Sequence, residues 1–351
     1  MEIRHKMNMK LLYLLVTFWL FAACDGTSTS PIPDDYQQQD VLRILSVETG
    51  EAATRSIVTT ADLNTNGKQI GVYAVNTDET EYIPPHGGSN TSTYQCDGTN
   101  WNCAATDGSK LLRLPATGTV KAASFYPHTL IPYYSSSDKG YVSGINILSD
   151  DDFAATNQTD YLYSGFTGTL STQSRDVTFA MKHALAKLTF KVYRKSVLDE
   201  TKLIALQIID AGGGSNLQGG SGKSMNLQTG ALQGLIGQSA MVLTATSEQQ
   251  QTINLESGTA AVAYCLIAPA PAIEYLSFQL TTSRGTTDSE QSFLTSSIKM
   301  VNEVKTSGEY LRWTAGKHYV FTIVLDGMKA GISDIQVCQW ESDTDTYIPI
   351  S

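Results

Sequence analysis

Along most of the chain, hydrophobic and polar residues alternate with a period of two. In the segment ALAKLTFKVYRK (184–195), Ala186, Leu188, Phe190 and Val192 alternate with more polar neighbours. This pattern predicts an extended strand with one side in a core and the other in solvent. Similar alternation occurs in VLRILSV (41–47), QIGVYAV (69–75), VKAASFY (120–126), VTFAMKH (177–183), YLSFQLT (275–281) and HYVFTIVL (318–325). The chain is therefore predicted to be all-β.

Clusters of turn-forming residues separate these predicted strands, for example HGGSN (86–90), SSSDKG (135–140) and TSRGTTD (282–288). Short strands joined by frequent turns are typical of antiparallel β-sandwiches. A chain of 351 residues has room for two such domains, at the usual ~100–200 residues each. We predict an N-terminal sandwich over residues 41–172 and a C-terminal sandwich over residues 173–351, divided in the polar stretch STQSRD.

The first residues carry the pattern of an export signal. Basic residues precede an uncharged, apolar run over residues 11–21, which is followed by two alanines and Cys24. Because this run is too short to span a bilayer and ends in small residues, residues 1–23 are predicted to be a signal peptide. The position of Cys24 resembles the lipobox of bacterial lipoproteins, although Phe21 departs from the small aliphatic residue that is usual there. The alternative is an ordinary secreted protein.

In a lipoprotein, Cys24 would become the N-terminus and carry the lipid that holds the protein in a membrane. The residues that follow, 24–40, contain too few apolar groups to fold. We predict that they form a flexible tether between the membrane and the first domain.

Composition narrows the range of partners. Hydrophobic residues make up 41% of the chain and charged residues only 17%, with a formal net charge of −10. A chain with this charge, and without a local cluster of basic residues, repels the phosphate backbone of nucleic acids. We therefore predict no nucleic-acid partner.

Two of the cysteines are close in sequence. Cys96 and Cys103 flank DGTNWN, whose turn-forming residues could close a hairpin, and export would bring them into an oxidising compartment. They form a candidate disulfide, with two free thiols as the alternative. Cys265 and Cys338 lie in apolar, strand-like runs and are expected to be buried thiols. A structural zinc site is not expected, because no C-x-x-C pair occurs.

No arrangement of residues in the sequence fits a catalytic or cofactor site. The GGSGKS segment (219–224) lacks the first glycine of a Walker A motif, because Leu217 stands there, and it is expected to be a flexible turn. The histidines lack metal-binding spacing, and the aspartates at 150–152 are expected to form a solvated acidic turn. There is no G-x-S-x-G nucleophile motif. We predict no catalytic residue, no metal and no cofactor.

Several segments, in this order, resemble the fimbrillin family: the lipoprotein pilins and pilus accessory subunits of Gram-negative oral and gut anaerobes. They are the cysteine at 24, ATRSIV (53–58), QIGVYAV, DYLYSG (160–165), VTFAMKHALAKLTFKV (177–192) and WTAGKHYVFTIVL (313–325) with ISDIQVCQWES (332–342). The resemblance implies two tandem, transthyretin-like Greek-key β-sandwich domains and export as a lipoprotein of the outer membrane and cell surface. It also implies other fimbrial subunits as partners, a role in adhesion, and no enzymatic activity.

The family resemblance also implies a maturation step, because an Arg-specific protease removes the N-terminal strand of stalk subunits before they polymerise. Arg55 is the candidate cleavage site, since GEAATR is predicted to be an exposed loop. Before it, residues 41–47 are predicted to be an edge-type strand with Leu45 and Val47 on one face; after it, residues 56–60 are predicted to resume a strand. Loss of the first strand would open a groove for a strand of another subunit.

The sequence leaves alternatives open at this step. Arg43 is the rival cleavage site, and a chain that is never cleaved is the other alternative. The ending SDTDTYIPIS (342–351) is acidic, and its Pro349 cannot donate to a sheet ladder, so it is a poor donor strand. This favours a tip or accessory subunit over a stalk subunit.

The competing function is a surface glycan-binding lipoprotein of a nutrient-uptake system. Trp101, Tyr94 and Tyr82 could stack on sugars, although packing in the core is the preferred interpretation. The sequence does not identify the host or bacterial surface ligand.

Overall fold

The computed structural model describes residues 39–49, 58–134, 139–196, 201–284, 289–302 and 308–340. Within these ranges nearly all regular structure is strand. The strands are β1 (Arg43–Thr49), β2 (Gln69–Asn76), β3 (Thr91–Cys96), β4 (Trp101–Cys103), β5 (Val120–Tyr126), β6 (Ile131–Tyr133), β7 (Tyr141–Ile147), β8 (Asp150–Asp152), β9 (Leu162–Tyr163), β10 (Thr167–Leu170), β11 (Asp176–His183), β12 (Ala186–Arg194), β13 (Thr201–Asp210), β14 (Leu217–Asn226), β15 (Leu232–Gln233), β16 (Ile236–Gln238), β17 (Ala240–Thr244), β18 (Gln251–Thr252), β19 (Ala261–Ile267), β20 (Tyr275–Arg284), β21 (Ser289–Leu294), β22 (Ile298–Val301), β23 (Glu309–Leu311), β24 (Lys317–Asp326) and β25 (Lys329–Gln339). The described ranges also hold a short α-helix, α1 (Thr60–Leu63), and 3-10 turns at Pro85–Gly87 and Gly108–Lys110.

The first sheet closes on itself. Its strand order is β10-β5-β2-β3-β4-β1-β11-β9, and β9 also pairs with β5. Inward-facing side chains of these strands form one core, in which Val72, Tyr94 and Phe179 are almost completely buried. Closure leaves β1 in the interior of the sheet.

Two further sheets enclose a second core. Their orders are β19-β12-β24-β25 and β23-β22-β20-β13-β17-β8, with β18 and β21 added to the latter. Side chains of both sheets share this core, and the rings of Phe190, Phe278 and Phe321 pack with centroids 4.9 to 5.4 Å apart. This arrangement is a β-sandwich built from alternating strand faces.

A fourth sheet, β15-β14-β7-β6, with β16 paired to β14, contributes to a third core. This core combines Tyr73 and Phe125 of the first sheet with Val142 and Met225 of the fourth sheet and with Trp340, which follows β25. The third core therefore packs residues from early and late parts of the chain against each other.

The prediction of an all-β, β-sandwich protein is confirmed. The division at residue 172 stays a prediction. Two observations bear on it: β11, which follows residue 172, pairs with β1 in the first sheet, and β7 pairs with β14 across the predicted division.

The strand predicted over residues 56–60 is wrong where the structure describes it, because α1 begins at Thr60. Thr59 caps this helix: its hydroxyl accepts a hydrogen bond from the Asp62 amide at 3.0 Å, and the Asp62 carboxylate accepts one from the Thr59 amide at 2.9 Å. This reciprocal pair is a capping box, which favours a helix start over continued strand.

Two segments that the sequence predicts to be turns are strands in the structure. The GGSGKS segment lies within β14. The register of β14 against β7 shifts around Gly220 and Lys223, so the glycines of this segment lie in an irregular part of the strand. The acidic segment 150–152 is β8, paired in parallel with β17. Asp151 is buried there and accepts hydrogen bonds from the Asn157 side chain and the Gln158 amide.

Candidate functional site

Strand β1 lies between β4 and β11 and is therefore not the edge strand that the sequence suggested. It runs parallel to β11, with Arg43 opposite Asp176 at one end and Thr49 opposite Met181 at the other. On the other side, the described pairing with β4 is a single residue pair, Ile44 with Trp101. One side of β1 thus has a backbone ladder along its whole length, interrupted by one shift of register, and the other side does not.

A bulge in β1 changes which residues face the core. The register against β11 shifts between Ile44 and Ser46, so one residue is inserted without a partner. Leu42, Ile44 and Val47 are 2%, 5% and 1% exposed, whereas Leu45 is 60% exposed. The prediction that Leu45 and Val47 share a face is wrong, because an extra residue moves every later side chain to the opposite face.

Side chains replace the missing ladder on the β4 side of β1. The Tyr94 hydroxyl donates a hydrogen bond to the Leu42 carbonyl at 2.8 Å, and the Asn64 side-chain amide donates one to the Val47 carbonyl at 3.0 Å. Tyr94 is buried, and burial raises the pKa of its phenol well above the ordinary value, so it stays a donor. The carbonyl of Leu42, just before β1, and the carbonyl of Val47 in β1 are therefore held by side chains of β3 and of the C-cap residue of α1.

Asn64 is fixed by the elements around it. It is the C-cap residue of α1, and its side-chain amide also donates to the Thr60 carbonyl at 2.8 Å. Its side-chain oxygen accepts a hydrogen bond from the indole nitrogen of Trp101 at 3.0 Å. The short helix thus carries the residue that binds β1.

Both ends of β1 have further polar contacts. Arg43 forms a bidentate ion pair with Asp176, with Nε to Oδ1 at 2.6 Å and Nη2 to Oδ2 at 2.5 Å. This hydrogen bonding lowers the pKa of the Asp176 carboxyl. At the far end, the Thr49 amide donates to the Thr60 hydroxyl at 2.8 Å.

Two predicted site residues lie outside the described residues. Cys24 falls in residues 1–38, and Arg55 falls in residues 50–57, between the end of β1 and the start of α1. Both remain predictions. The rival cleavage site, Arg43, lies within β1 and is paired on both its side chain and its backbone.

Cys96 and Cys103 are free thiols in the structure. The hairpin register gives the reason: Cys96 is opposite Trp101, and Cys103 is opposite Tyr94, so the two cysteines are diagonal neighbours. Diagonal residues of adjacent strands are about 7–8 Å apart, which exceeds the span of a disulfide. The Cys103 sulfur instead lies 3.1 Å from the Ser92 hydroxyl.

The aromatic residues considered for sugar stacking are core residues. Trp101, Tyr94 and Tyr82 are 5%, 1% and 5% exposed. Their rings therefore have no free face for a ligand. In the described part of the chain, no group of three or more His, Cys, Asp or Glu side chains could hold a metal ion. No helix in that part is long and apolar enough to cross a membrane.

Sequence reasoning missed the two side chains that hold β1. Tyr94 was considered only as a stacking or core residue, and Asn64 not at all. The T-x-x-D capping pattern at Thr59, which precedes Asn64, is the sequence signal that could have placed it at the end of a helix.

The chain is similar to known proteins in its sequence and in its fold. A family model described as fimbrillin-like matches residues 54–340. Among solved structures, a candidate cell adhesion protein from Bacteroides uniformis is similar at 18% identity, with 86% of this chain and 98% of that chain covered and a TM-score of 0.49. One from Bacteroides ovatus has 13% identity, the same coverage of 86% and 98%, and a TM-score of 0.53.

The tip fimbrial protein Mfa3 from Porphyromonas gingivalis, in a form with C-terminal truncation, has 9% identity over 84% of this chain and 99% of that chain, with a TM-score of 0.38. Of these similarities, the TM-score of 0.53 supports a shared fold. A search of curated protein sequences finds no match.

Proposed function

The chain belongs to the fimbrillin-like family, and on this premise we propose that it is a surface fimbrial subunit of tip or accessory type that serves adhesion and is assembled by donor-strand exchange. The observation that carries the proposal is the position of β1. This strand fills the gap between β4 and β11 and is followed directly by residues 50–57, which contain Arg55.

Cleavage after Arg55 would separate β1 from the rest of the chain without cutting a strand. If β1 then left, the ladder of β11 and the apolar side chains of Val177 and Phe179 would lose their partner. A strand from another subunit could restore both the backbone hydrogen bonds and the apolar burial. The partners in this proposal are therefore other fimbrial subunits.

The proposal also includes the anchor. Residues 1–23 act as a signal peptide, Cys24 is acylated and held in outer-membrane lipid, and residues 24–40 form the tether to two sandwich domains. A single acyl chain binds membranes only weakly, so the multiply acylated cysteine of a lipoprotein suits a stable anchor. The protein is proposed to have no enzymatic activity, since fimbrillins are structural proteins.

The glycan-binding alternative has one observation in its favour. A cleft of about 480 Å³ lies over β2 and β3 and is lined by polar side chains, including Gln69 and Thr91, and by apolar ones, including Leu130 and Ile131. Phe125, an aromatic residue of this lining, is only 1% exposed. Its ring therefore offers no open face for stacking on a sugar, and the fimbrial function stays the preferred proposal. Retardation of the protein by a defined polysaccharide in a native gel would reverse this preference.

Two measurements on the source cells test the fimbrial proposal. Antibody-labelled electron micrographs should show the protein on filaments or their tips, and N-terminal sequencing of filament-borne protein should give Ser56. Arg55→Lys, which keeps the charge but removes an Arg-specific site, should block processing and incorporation. The matched control Arg43→Lys should be processed normally. Label over bare membrane only, or an intact Cys24 terminus on filament-borne protein, would contradict the mechanism.

The anchor is tested separately. Metabolic labelling with a clickable fatty acid should mark the wild-type protein and the control variant Cys338→Ser, and it should miss Cys24→Ser. Equal labelling of Cys24→Ser would exclude this cysteine as the lipid attachment site.

A further inference from the structure

The space that β1 occupies between β4 and β11, which we call the β1 slot, has features that select what can bind in it. We propose that it accepts a strand of another fimbrial subunit with apolar residues at its first, third and sixth positions and a basic residue at its second. The proposal rests on the fimbrial function above. It adds a sequence rule for the partner and assigns Tyr94 and Asn64 as residues that bind its main chain.

The apolar positions follow from the bulge. Leu42, just before β1, and Ile44 and Val47 of β1 are buried and share the core of the first sheet. Their spacing is two and then three residues, whereas a regular strand would bury every second residue. An occupant with strict alternation would bring its fifth residue, rather than its sixth, toward the space filled by Val47.

Two side-chain donors of the slot bind main-chain atoms. Tyr94 and Asn64 donate to the carbonyls of Leu42 and Val47, which are the first and sixth positions themselves. Main-chain recognition does not depend on side chains, so these donors would add affinity for many sequences, while the apolar positions set the alignment. A slot without an occupant would leave the buried phenol of Tyr94 without this acceptor, which is unfavourable.

Charge specifies the second position. Asp176 stands at the start of β11, and its carboxylate is partnered by Arg43. An arginine of an incoming strand would take over this bidentate pairing, a lysine would keep the charge attraction alone, and an acidic residue would be repelled. The pair is exposed to solvent, so it contributes to selection and alignment more than to affinity.

The ending of a second copy of this chain is excluded as the occupant. Residues 341–351, which follow Trp340, contain no three apolar residues at the required spacing in either chain direction. Their acidic residues, Glu341, Asp343 and Asp345, would also be repelled by Asp176. The corresponding segment of a second copy of this chain therefore does not fit the rule.

Peptide exchange tests the rule on the full chain. The chain would carry Cys24→Ser to keep it free of lipid and a site-specific protease sequence in place of residues 50–56. After cleavage, β1 stays bound without a covalent link, and a fluorescent peptide of sequence DVLRILSVET, which is residues 40–49, should exchange into the slot. Fluorescence anisotropy follows this exchange.

Two altered peptides report on the rule. The isomer DVLRILVSET exchanges Ser46 and Val47 and so has identical composition, but its apolar residues alternate strictly; we expect at least about tenfold weaker binding, as for loss of one well-buried side chain. The peptide DVLEILSVET, with Arg43→Glu, should bind more weakly, and this difference should shrink as salt is raised.

Variants of the slot complete the test. Tyr94→Phe and Asn64→Ala should each release the reference peptide about tenfold faster, since each removes a hydrogen bond to its backbone. The controls are Tyr319→Phe and Asn254→Ala, whose side chains donate to the carbonyls of Arg312 and Thr259. They should leave release unchanged.

The outcomes separate the two proposals. Equal binding of the reference peptide and its isomer would overturn the sequence rule while leaving strand exchange intact. Unchanged release from both slot variants would overturn the assignment of Tyr94 and Asn64. Failure of every peptide to exchange after cleavage would overturn strand exchange at this slot and, with it, the proposed assembly mechanism.

Discussion

At the scale of single residues, Asn64 joins α1, β1 and β4 through one half-buried side chain. Replacing it with alanine would leave the indole N–H of Trp101 buried without its acceptor and the Val47 carbonyl without its donor. We expect Asn64→Ala to lower the free energy of unfolding by about 2–3 kcal/mol. Denaturant unfolding measures this value. Asn254→Ala, which removes one hydrogen bond in a loop, should cost about 1 kcal/mol or less; an equal loss in the two variants would contradict the role given to Asn64.

The cysteines provide a second prediction at this scale. Cys103 and Cys338 are half-buried, whereas Cys96 and Cys265 are buried, and burial raises the pKa of the Cys265 thiol so that little thiolate forms. We expect alkylation without reductant to modify Cys103 and Cys338 first and Cys265 last. Mass spectrometry of timed digests measures the order. A peptide linking Cys96 to Cys103 in a non-reducing digest would instead establish the disulfide.

The Asp176 carboxyl should titrate below its ordinary value. The hydrogen bond from Arg43 lowers the pKa of this carboxyl below its ordinary value of 3.8. The pKa of this carboxyl is lower in the folded state than in the unfolded state. The ion pair therefore stabilises the fold fully at pH values above the unfolded-state pKa, and this stabilisation is lost as the pH falls through the folded-state pKa. NMR titration should show the shift, and Arg43→Ala should return the pKa toward 3.8. An unchanged titration in that variant would assign the shift to another cause.

At the scale of elements, the bulge in β1 gives two adjacent residues very different solvent exposure. Ile44 is 5% exposed and Leu45 is 60% exposed. We expect Ile44→Ala to lower the free energy of unfolding by about 2–4 kcal/mol, because it leaves a cavity in the core. Leu45→Ala should change it by about 0.5 kcal/mol or less. Thermal and denaturant unfolding measure both, and the reverse order would mean that β1 alternates without a bulge.

The strands show what the sequence could predict. Segments such as 177–183 were predicted from their period of two, because one face is buried and the other is not. VLRILSV carries apolar residues at both even and odd positions, so its pattern fits two faces equally well and cannot locate a bulge. That choice is made by tertiary contacts, including Asn64 and Tyr94, which come from distant parts of the chain. The sequence therefore predicted the strand of the candidate site, but not its bulge or the side chains that bind it.

At the scale of the whole molecule, strand pairing gives a second candidate for the boundary between the two predicted sandwiches. The first core draws on residues from Leu42 to Met181, because β11 completes the closed sheet beside β1. The polar stretch STQSRD predicts the division at residue 172. Local composition does not show which sheet the next strand joins. We propose two sandwich domains with the boundary after β11, near Ala184, and with the third core packed between their strands.

Two fragments test this boundary. A fragment of residues 24–172 lacks β11, so β1 has no parallel partner and the first core loses Val177, Phe179 and Met181. We expect this fragment to show no cooperative thermal transition, because an open sheet with a truncated core cannot offset the entropy of folding. A fragment of residues 24–185, which restores β11 and every residue of that core, should unfold cooperatively. Circular dichroism during heating measures both transitions, and cooperative unfolding of the shorter fragment would instead place the boundary at residue 172.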